Sequence, residues 1–314
     1  MTKIFVNLKR FDVPRSMGGI CPYEDAAAWM QSIIRRSIEL GLGRIEHVDV
    51  VYLVPEASLV VATDERARHD PGALPNLHIG CQGVYRENVR AGVNFGAFTT
   101  NLPASAAVNL RAEWAIIGHS EERRDKIGII EAYEPTAADD VELQRRARRA
   151  VESVINQETL RALESGLNVL LCVGESAAQK GEGAFDDQKP RIREALESQI
   201  REGLTGVAPL LGERDVIIGY EPIWAIGPGR TPPGAQYVEF VSSFIKECTQ
   251  RIHGVTPSVV YGGGLKAANA GELGSVDSLD GGLVALTKFT DPIGFDPDEL
   301  AVIVEKYLES RGVR

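Results

Sequence analysis

The feature of this sequence that most constrains its fold is a series of eight short apolar runs spread along its 314 residues. Each run is bounded by residues that favour turns, and most are continuously apolar rather than alternating between apolar and polar positions. Continuous apolar runs of this length are typical of strands that are buried on both faces of a parallel sheet. The predicted strands cover residues 3–9, 48–55, 77–83, 114–120, 168–175, 215–222, 258–264 and 281–286.

Helical patterns fill the gaps between these strands. Eight strands alternating with helices fit either a closed (β/α)8 barrel or a large doubly wound sheet. Polar residues and glycines cluster just after many of the strands, where barrel enzymes carry their chemistry, so the α/β class with a TIM barrel is favoured. No linker or change of composition divides the chain, and residues 1–314 are predicted to form a single domain. The surplus over the roughly 250 residues of a typical barrel is assigned to residues 124–154, between strands four and five.

The charge and cysteine content exclude several classes of partner. The formal net charge of −10 argues against a nucleic acid or a membrane as partner, because both need basic surfaces. One basic segment, residues 145–149, is surrounded by acids and is interpreted as a solvated helix face. The cysteines and histidines lack metal-ligand spacing, and no apolar leader or transmembrane-length run is present. We therefore expect a cytoplasmic protein with free thiols and with no metal or cofactor.

Three polar side chains stand where predicted strands end: Lys9 after the first, His119 after the fourth and Glu221 after the sixth. Strand ends of a barrel converge on one mouth although they are distant in sequence. A carboxylate can take a proton from a carbon beside a carbonyl while an imidazole polarises the oxygen and an ammonium stabilises the enediolate. Each residue taken alone has a plainer interpretation as a solvated or structural side chain, so the hypothesis depends on the three occurring together.

The surroundings of His119 favour a neutral imidazole. The chain leaves a strand, passes Gly118 and enters an acidic stretch that reads as the start of a helix. A helix N-terminus disfavours a cationic ring, which suits a neutral hydrogen-bond donor. Glu121 and Arg123 are candidates for orienting side chains there by ion pairing, although a surface pair is equally compatible with the sequence.

Glycine-rich segments follow the later strands. The segment 223–231 combines apolar residues with glycines such as Gly227, and it reads as a flap that seals a pocket against water. Glycines at 262–264 and 281–282 lie near the last two strands, where the loops of a barrel commonly bind phosphate through backbone N–H groups. None of these segments matches a GxGxxG or P-loop pattern, which argues against a nucleotide cofactor.

These motifs resemble the triosephosphate isomerase family. The likeness rests on "NLK" from Asn7 to Lys9, "GAFT" at 96–99, "IIGHSE" at 116–121, "LCVGE" at 171–175 and "YEPIWAIGPGRT" at 220–231, the most specific of the five. The resemblance implies that Glu221 is the base, His119 the neutral electrophile and Lys9 the electrostatic anchor. It also implies supporting roles for Asn7 and Glu121, and a homodimer in which "GAFT" reaches into the neighbouring subunit.

The departures from the family pattern lie mostly in the predicted phosphate grip. Gly264 replaces a serine, and Ala285-Leu286 replaces a Gly-Gly pair whose amides bind phosphate in the family. Pro228 stands at the tip of the flap where a threonine is usual, which removes one backbone donor. Smaller departures are Leu8 in place of tryptophan and Gly83 in place of asparagine. The predicted substrate-binding residues are Asn7, Glu121, Gly227, Gly264, Ala285 and Leu286.

Three functions are compatible with this pattern. The leading hypothesis is isomerisation of dihydroxyacetone phosphate and glyceraldehyde 3-phosphate, with a small sugar phosphate as the only partner besides a second subunit. The second is a related isomerisation of a longer phosphorylated ketose such as a tetrulose phosphate, for which the altered loops would widen the site. The third is a barrel that only binds its ligand, and the retention of Lys9, His119 and Glu221 together argues against it.

Overall fold

Eight parallel strands close into a barrel in which each strand pairs with its neighbours along the chain and β8 returns to β1. The computed structural model describes residues 1–227 and 229–312. This closed (β/α)8 arrangement confirms the barrel and rules out the doubly wound sheet. The strands are β1 (Thr2–Asn7), β2 (Val48–Val54), β3 (Leu77–Cys81), β4 (Trp114–Ile117), β5 (Asn168–Val173), β6 (Val216–Tyr220), β7 (Val259–Tyr261) and β8 (Gly281–Val284).

Helices of the described chain surround the barrel and connect its strands. Most of them begin with a capped or acidic first turn, as Asp25, Asp140 and Asp296 show by accepting backbone N–H groups of the helices that follow them. They are α1 (Ala26–Glu39), α2 (Leu59–Ala67), α3 (Ala104–Asn109), α4 (Ser120–Tyr133), α5 (Val141–Glu164), α6 (Ala177–Lys180), α7 (Phe185–Gly203), α8 (Ala235–His253), α9 (Ala270–Gly274) and α10 (Pro297–Glu309).

Barrel closure depends on the register between the first and last strands. Lys3 pairs with Gly281 and Val6 pairs with Val284. Gly281 has a φ of 155°, and a Cβ at this position would lie 1.8 Å from the carbonyl oxygen of Lys3. Glycine is therefore required there, because any side chain would push β8 away from β1.

The core has two layers, which explains why the strands are continuously apolar. One cluster fills the inside of the barrel and includes Phe5, Leu53, Trp114 and Ile217. The alternate residues of the same strands pack outward against the helices, so each strand buries both of its faces.

The predicted strands are too long at their carboxyl ends. The first ends at Asn7 rather than Lys9, the fourth at Ile117 rather than Ser120, and the sixth at Tyr220 rather than Pro222. The residues after these three strands no longer pair with a neighbouring strand, and their side chains lie at the rim of the barrel. Ser120 is already the first residue of α4. Lys9 has a left-handed backbone with φ of 45°, which a strand cannot contain.

The enlargement predicted between strands four and five is present. Residues 124–154 form most of α4, a 3-10 turn at Pro135–Ala138 and the first half of α5. Among the described residues, no helix has the length and apolarity to cross a membrane, and no group of three His, Cys, Asp or Glu side chains is arranged to hold a metal ion. The four cysteines are buried and free.

Candidate active site

A cavity of about 1390 Å³ opens among the loops that follow the barrel strands. All nine predicted site residues line it, although they come from five different loops of the barrel. The catalytic candidates and the binding candidates therefore share one chamber, as the strand-end argument expected. The nine are Asn7, Lys9, His119, Glu121, Glu221, Gly227, Gly264, Ala285 and Leu286.

Lys9 is held by polar contacts on its backbone and its ammonium group. Its N–H donates to Asn7 Oδ1 at 3.0 Å, and its carbonyl oxygen accepts from Gln82 Nε2 at 3.1 Å. Gln82 Nε2 also lies 3.2 Å from Asn7 Oδ1, so the two amide side chains form one brace. This brace supports the left-handed backbone of Lys9, a conformation that persists in non-glycine residues only where the surroundings hold it.

The ammonium of Lys9 pairs with Glu121 across the mouth of the cavity. Lys9 Nζ lies 2.7 Å from Glu121 Oε1. Partial burial by itself would raise the pKa of Glu121, but the hydrogen bond and the charge of Lys9 outweigh it and lower that pKa. Glu121 therefore stays ionised and keeps the ammonium pointed along the rim. It pairs with Lys9 and not with Arg123, which resolves the alternatives that the sequence left open.

His119 caps the N-terminus of α4 with its own ring. Its Nδ1 accepts the N–H of Glu121 at 3.3 Å, so this nitrogen carries no proton. A neutral ring consequently bears its hydrogen on Nε2, which lies 3.1 Å from Glu221 Oε1. The helix terminus thus orients the ring and places its Nε2 beside the Glu221 carboxylate, in the wall of the cavity.

Glu221 lies one residue beyond β6 and is only 3% exposed. Its Oε2 accepts the N–H of Ser120 at 2.9 Å, and its Oε1 accepts the Ser120 hydroxyl at 3.2 Å. The carboxylate therefore rests against the N-terminus of α4, where helix dipole and free N–H groups stabilise negative charge. A buried carboxylate in the wall of the cavity can accept a proton from a carbon acid that is bound there.

Behind His119, two consecutive side chains of α4 clamp the turn that carries it. Glu122 Oε2 accepts the N–H of Gly118 at 2.7 Å, and Arg123 Nε donates to the Gly118 carbonyl at 2.6 Å. Arg123 also donates to the Cys172 carbonyl at 2.8 Å and forms a buried ion pair with Glu152 of α5. The turn before His119 is thereby fixed on both sides by charged groups.

A second buried group of charges supports Glu122. Lys126 pairs with Glu122 and lies 3.2 Å from Glu158 Oε1. Burial and the neighbouring Glu122 carboxylate raise the pKa of Glu158 to about 9. Burial would raise the pKa of Glu122 as well, but hydrogen bonding from Glu158 and the charge of Lys126 lower it. At neutral pH, burial and the adjacent ionised Glu122 therefore favour the protonated form of Glu158.

The flap is anchored at its first turn by a buried carboxylate. Glu175 Oε1 accepts from Trp224 Nε1 at 2.7 Å, from Tyr237 Oη at 2.7 Å and from Tyr220 Oη at 2.9 Å. Burial raises the pKa of Glu175, and these donors oppose the rise. Gly227, beyond the anchored turn, has a φ of 116° and lines the cavity. Pro228 lies outside the described residues.

The loops after β7 and β8 present backbone N–H groups to the cavity, rather than side chains that the protein holds in place. Within the described residues, the N–H groups of Gly264, Ala285 and Leu286 make no hydrogen bond with the protein. Lys266 lines the same part of the cavity. Free amides beside an ammonium are the groups with which a barrel binds a phosphate ester.

Several residues that shape the site escaped the sequence interpretation. Gln82 and Ser120 hydrogen-bond candidate residues directly. The others hold the turn before His119 or the first turn of the flap. The only signal in the sequence was the position of each beside a strand end or on a charged helix, which many surface residues share. These residues are Gln82, Ser120, Glu122, Glu152, Glu158 and Glu175.

Comparisons with known proteins identify relatives of this chain. A triosephosphate isomerase from Pelodictyon phaeoclathratiforme is 33% identical over 216 residues, which are 68% of this chain and 70% of that protein. A second, from Prosthecochloris aestuarii, is 28% identical over 260 residues, or 81% of this chain and 88% of that protein. The crystal structure of triosephosphate isomerase from Bartonella henselae shares the fold with a TM-score of 0.64 and 20% identity, covering 98% of both chains.

The family model described as triosephosphate isomerase matches residues 44–291. This match extends over most of the barrel, from the segment before β2 to the loop after β8. The relative that is 33% identical carries the same family name, so the two comparisons assign the chain to one family. The chain belongs to the triosephosphate isomerase family.

Proposed function

We propose that this protein interconverts dihydroxyacetone phosphate and D-glyceraldehyde 3-phosphate through an enediolate. The observation that carries the proposal is the contact of 3.1 Å between His119 Nε2 and Glu221 Oε1 in a cavity that Lys9 also lines. A base and a neutral N–H donor side by side can act on the two adjacent carbons and oxygens of a hydroxyketone.

In this mechanism Glu221 removes a proton from the carbon beside the carbonyl and returns it to the neighbouring carbon. His119 donates its Nε2–H to the carbonyl oxygen on which negative charge develops and takes up the proton of the adjacent hydroxyl in exchange. Lys9 stabilises the developing charge electrostatically. Burial of Glu221 removes water that would solvate the carboxylate and weaken it as a base. The flap covers the enediolate and prevents loss of its phosphate group. The amides of Gly264, Ala285 and Leu286 receive the phosphate.

A longer phosphorylated ketose, such as a tetrulose phosphate, is the second candidate. The observation that favours it is the wall beside the phosphate loops, where the apolar side chains of Leu286, Phe289 and Ile293 line the cavity. Phe289 and Ile293 remain 51% and 44% exposed, so apolar surface is available to an additional carbon. A protein that only binds its ligand would retain this cavity but show no turnover.

The two enzymes are distinguished by assaying dihydroxyacetone phosphate, glyceraldehyde 3-phosphate and the erythrulose phosphates side by side with one preparation. The triose proposal expects the highest kcat/KM with the triose phosphates. A higher value with an erythrulose phosphate would replace it by the second candidate, and no turnover of any sugar phosphate would favour the binding protein. The triose reaction would place the protein in glycolysis and gluconeogenesis, in the cytoplasm.

We further propose a homodimer formed through the loop after β3. Phe95 is 80% exposed and Val93 is 70% exposed, beside the "GAFT" motif at 96–99. Apolar side chains at this exposure usually mark a contact surface. Sedimentation of the protein and of a Phe95→Asp variant tests this proposal. We expect a dimer that the variant dissociates, and a fully active monomer would contradict it.

A further inference from the structure

The cavity wall has a charge balance opposite to that of the whole chain. The protein carries 34 lysines and arginines against 44 aspartates and glutamates. Nine basic and four acidic side chains line the cavity, and Glu121, Glu152 and Glu221 among the acids already contact basic or site residues. A cleft with this excess of positive charge concentrates anions.

Only part of this excess belongs to the catalytic chamber. Lys9 and Lys266 come from the loops after β1 and β7, next to the candidate site. Five arginines come instead from α4, α5 and α7, and four of them lie on the enlargement between β4 and β5. These five are Arg124, Arg145, Arg148, Arg149 and Arg191.

The face of α5 that meets the cavity concentrates like charge. Arg145, Arg148 and Arg149 are three and four residues apart, so they share one side of the helix, and all three are exposed. Like charges at this spacing destabilise a helix. Glu142 pairs with Arg145, whereas Arg148 and Arg149 form no ion pair within the described residues. The cavity therefore has two guanidinium groups whose charge the protein does not neutralise.

Arg191 of α7 faces the same space and is already positioned. Its Nε donates to the Lys180 carbonyl at 2.9 Å, and one terminal nitrogen donates to the Glu182 carbonyl at 2.7 Å. These contacts are with neutral oxygens, so its charge is likewise not cancelled. Glu194, three residues further along α7, also lines the cavity.

We propose that Arg148 and Arg149 of α5, together with Arg191 of α7, form a second anion subsite that binds a phosphate group outside the catalytic chamber. Guanidinium groups bind phosphate by paired N–H donors, which suits this set better than a single halide or carboxylate. The phosphate belongs either to the far end of one ligand that also fills the chamber or to a separate phosphate ester. The subsite goes beyond the proposed isomerisation and does not depend on it.

The test uses equilibrium dialysis of the full chain against labelled inorganic phosphate at low ionic strength. In the Arg148→Ala/Arg149→Ala variant, we expect one phosphate per chain to be lost or bound at least about tenfold more weakly. Arg146→Ala is the matched control, because Arg146 is exposed on the same helix but does not line the cavity. It should bind phosphate as the parent protein does. Unchanged phosphate binding by the double variant would overturn the proposal, as would an equal loss in the Arg146→Ala control.

A series of alkyl bisphosphonates distinguishes the two sources of the phosphate. If one ligand spans both sites, a bisphosphonate of suitable length binds more tightly than a monophosphonate, and the double variant loses that advantage. If the phosphate belongs to a separate ester, no bisphosphonate has the advantage, and inorganic phosphate still binds when the chamber is occupied. A length-dependent advantage that the double variant retains would contradict the subsite.

Discussion

The catalytic rim and the arginine face of α5 are two charged regions of one cavity, and they are built in opposite ways. On the rim, Lys9, His119 and Glu221 each have at least one partner at 3.1 Å or less, or a helix terminus that orients them. On α5, Arg148 and Arg149 are exposed and have no ionic partner among the described residues. The contrast teaches that the groups proposed for chemistry have ionic or helix-terminal partners within the protein, whereas the charges of the two α5 arginines are left to a ligand.

The largest effect is expected when the proposed base on the catalytic rim is removed. Glu221→Gln retains the shape of the side chain and cannot accept a proton, so kcat should fall on the order of 10²- to 10⁴-fold with little change in KM. Steady-state kinetics with the preferred sugar phosphate measures the effect. Glu305→Gln, an exposed change on α10, serves as the control. A kcat within a few-fold of the parent value would remove Glu221 from its role.

The next largest effect concerns the clamp behind His119. Arg123→Met deletes a buried cation and leaves Glu152 without its partner, which should lower the free energy of unfolding by about 3–5 kcal/mol. Denaturant unfolding measures it. Arg124→Met, the exposed neighbour, should stay within about 0.5 kcal/mol of the parent protein. Similar losses in the two variants would mean that the buried pair does not stabilise this turn.

How far the sequence predicts these regions depends on the kind of signal that each one leaves. The strands are recognisable because both of their faces are apolar, and Lys9, His119 and Glu221 are recognisable because they follow strands. The buried charges behind His119 are not recognisable in the sequence. Glu152 and Glu158 lie on α5, a helix rich in charged residues, and helical periodicity predicts that such residues face solvent. Their burial is a property of how α4 packs on α5, which pattern alone does not contain.

The arginine face of α5 shows a second limit of sequence-based prediction, this time for exposed charges. Residues 145–149 were predicted to be a solvated helix face, and Arg145, Arg148 and Arg149 are indeed exposed. What the sequence could not supply is that this face borders the cavity of the catalytic candidates. The carboxyl ends of the strands were misplaced for a related reason, since the left-handed turn at Lys9 is held by the distant Gln82.

A smaller effect is expected in the loops after β7 and β8. Lys266→Met removes an ammonium from the wall that receives the phosphate, so KM for the sugar phosphate should rise about tenfold while kcat changes little. Initial-rate measurements separate the two constants. Lys306→Met is a suitable control, because Lys306 donates to the Ala267 carbonyl and does not line the cavity. A fall in kcat with an unchanged KM would place Lys266 with the catalytic rim.

The last expected effect is a dependence of stability on pH. The folded protein raises the pKa of Glu158 to about 9, so between its ordinary value and pH 9 the folded state binds one proton more than the unfolded state. The stability that this group contributes is complete below pH 4 to 5, and it is lost as pH rises, at a slope of up to about 1.4 kcal/mol per unit. Glu158→Gln should flatten the decline between pH 6 and pH 8.5 in denaturant titrations. An equally steep decline in the variant would show that another group causes it.

The most direct test of the central claim follows hydrogen exchange between solvent and substrate. Dihydroxyacetone phosphate is incubated with the protein in D₂O, and NMR spectra record deuterium at the carbon-bound position together with the aldose product. The proposed mechanism predicts exchange and product with the parent protein, and loss of both in Glu221→Gln. If the parent protein gives neither deuterium incorporation nor product with this substrate or with an erythrulose phosphate, Lys9, His119 and Glu221 do not form a proton-transfer site.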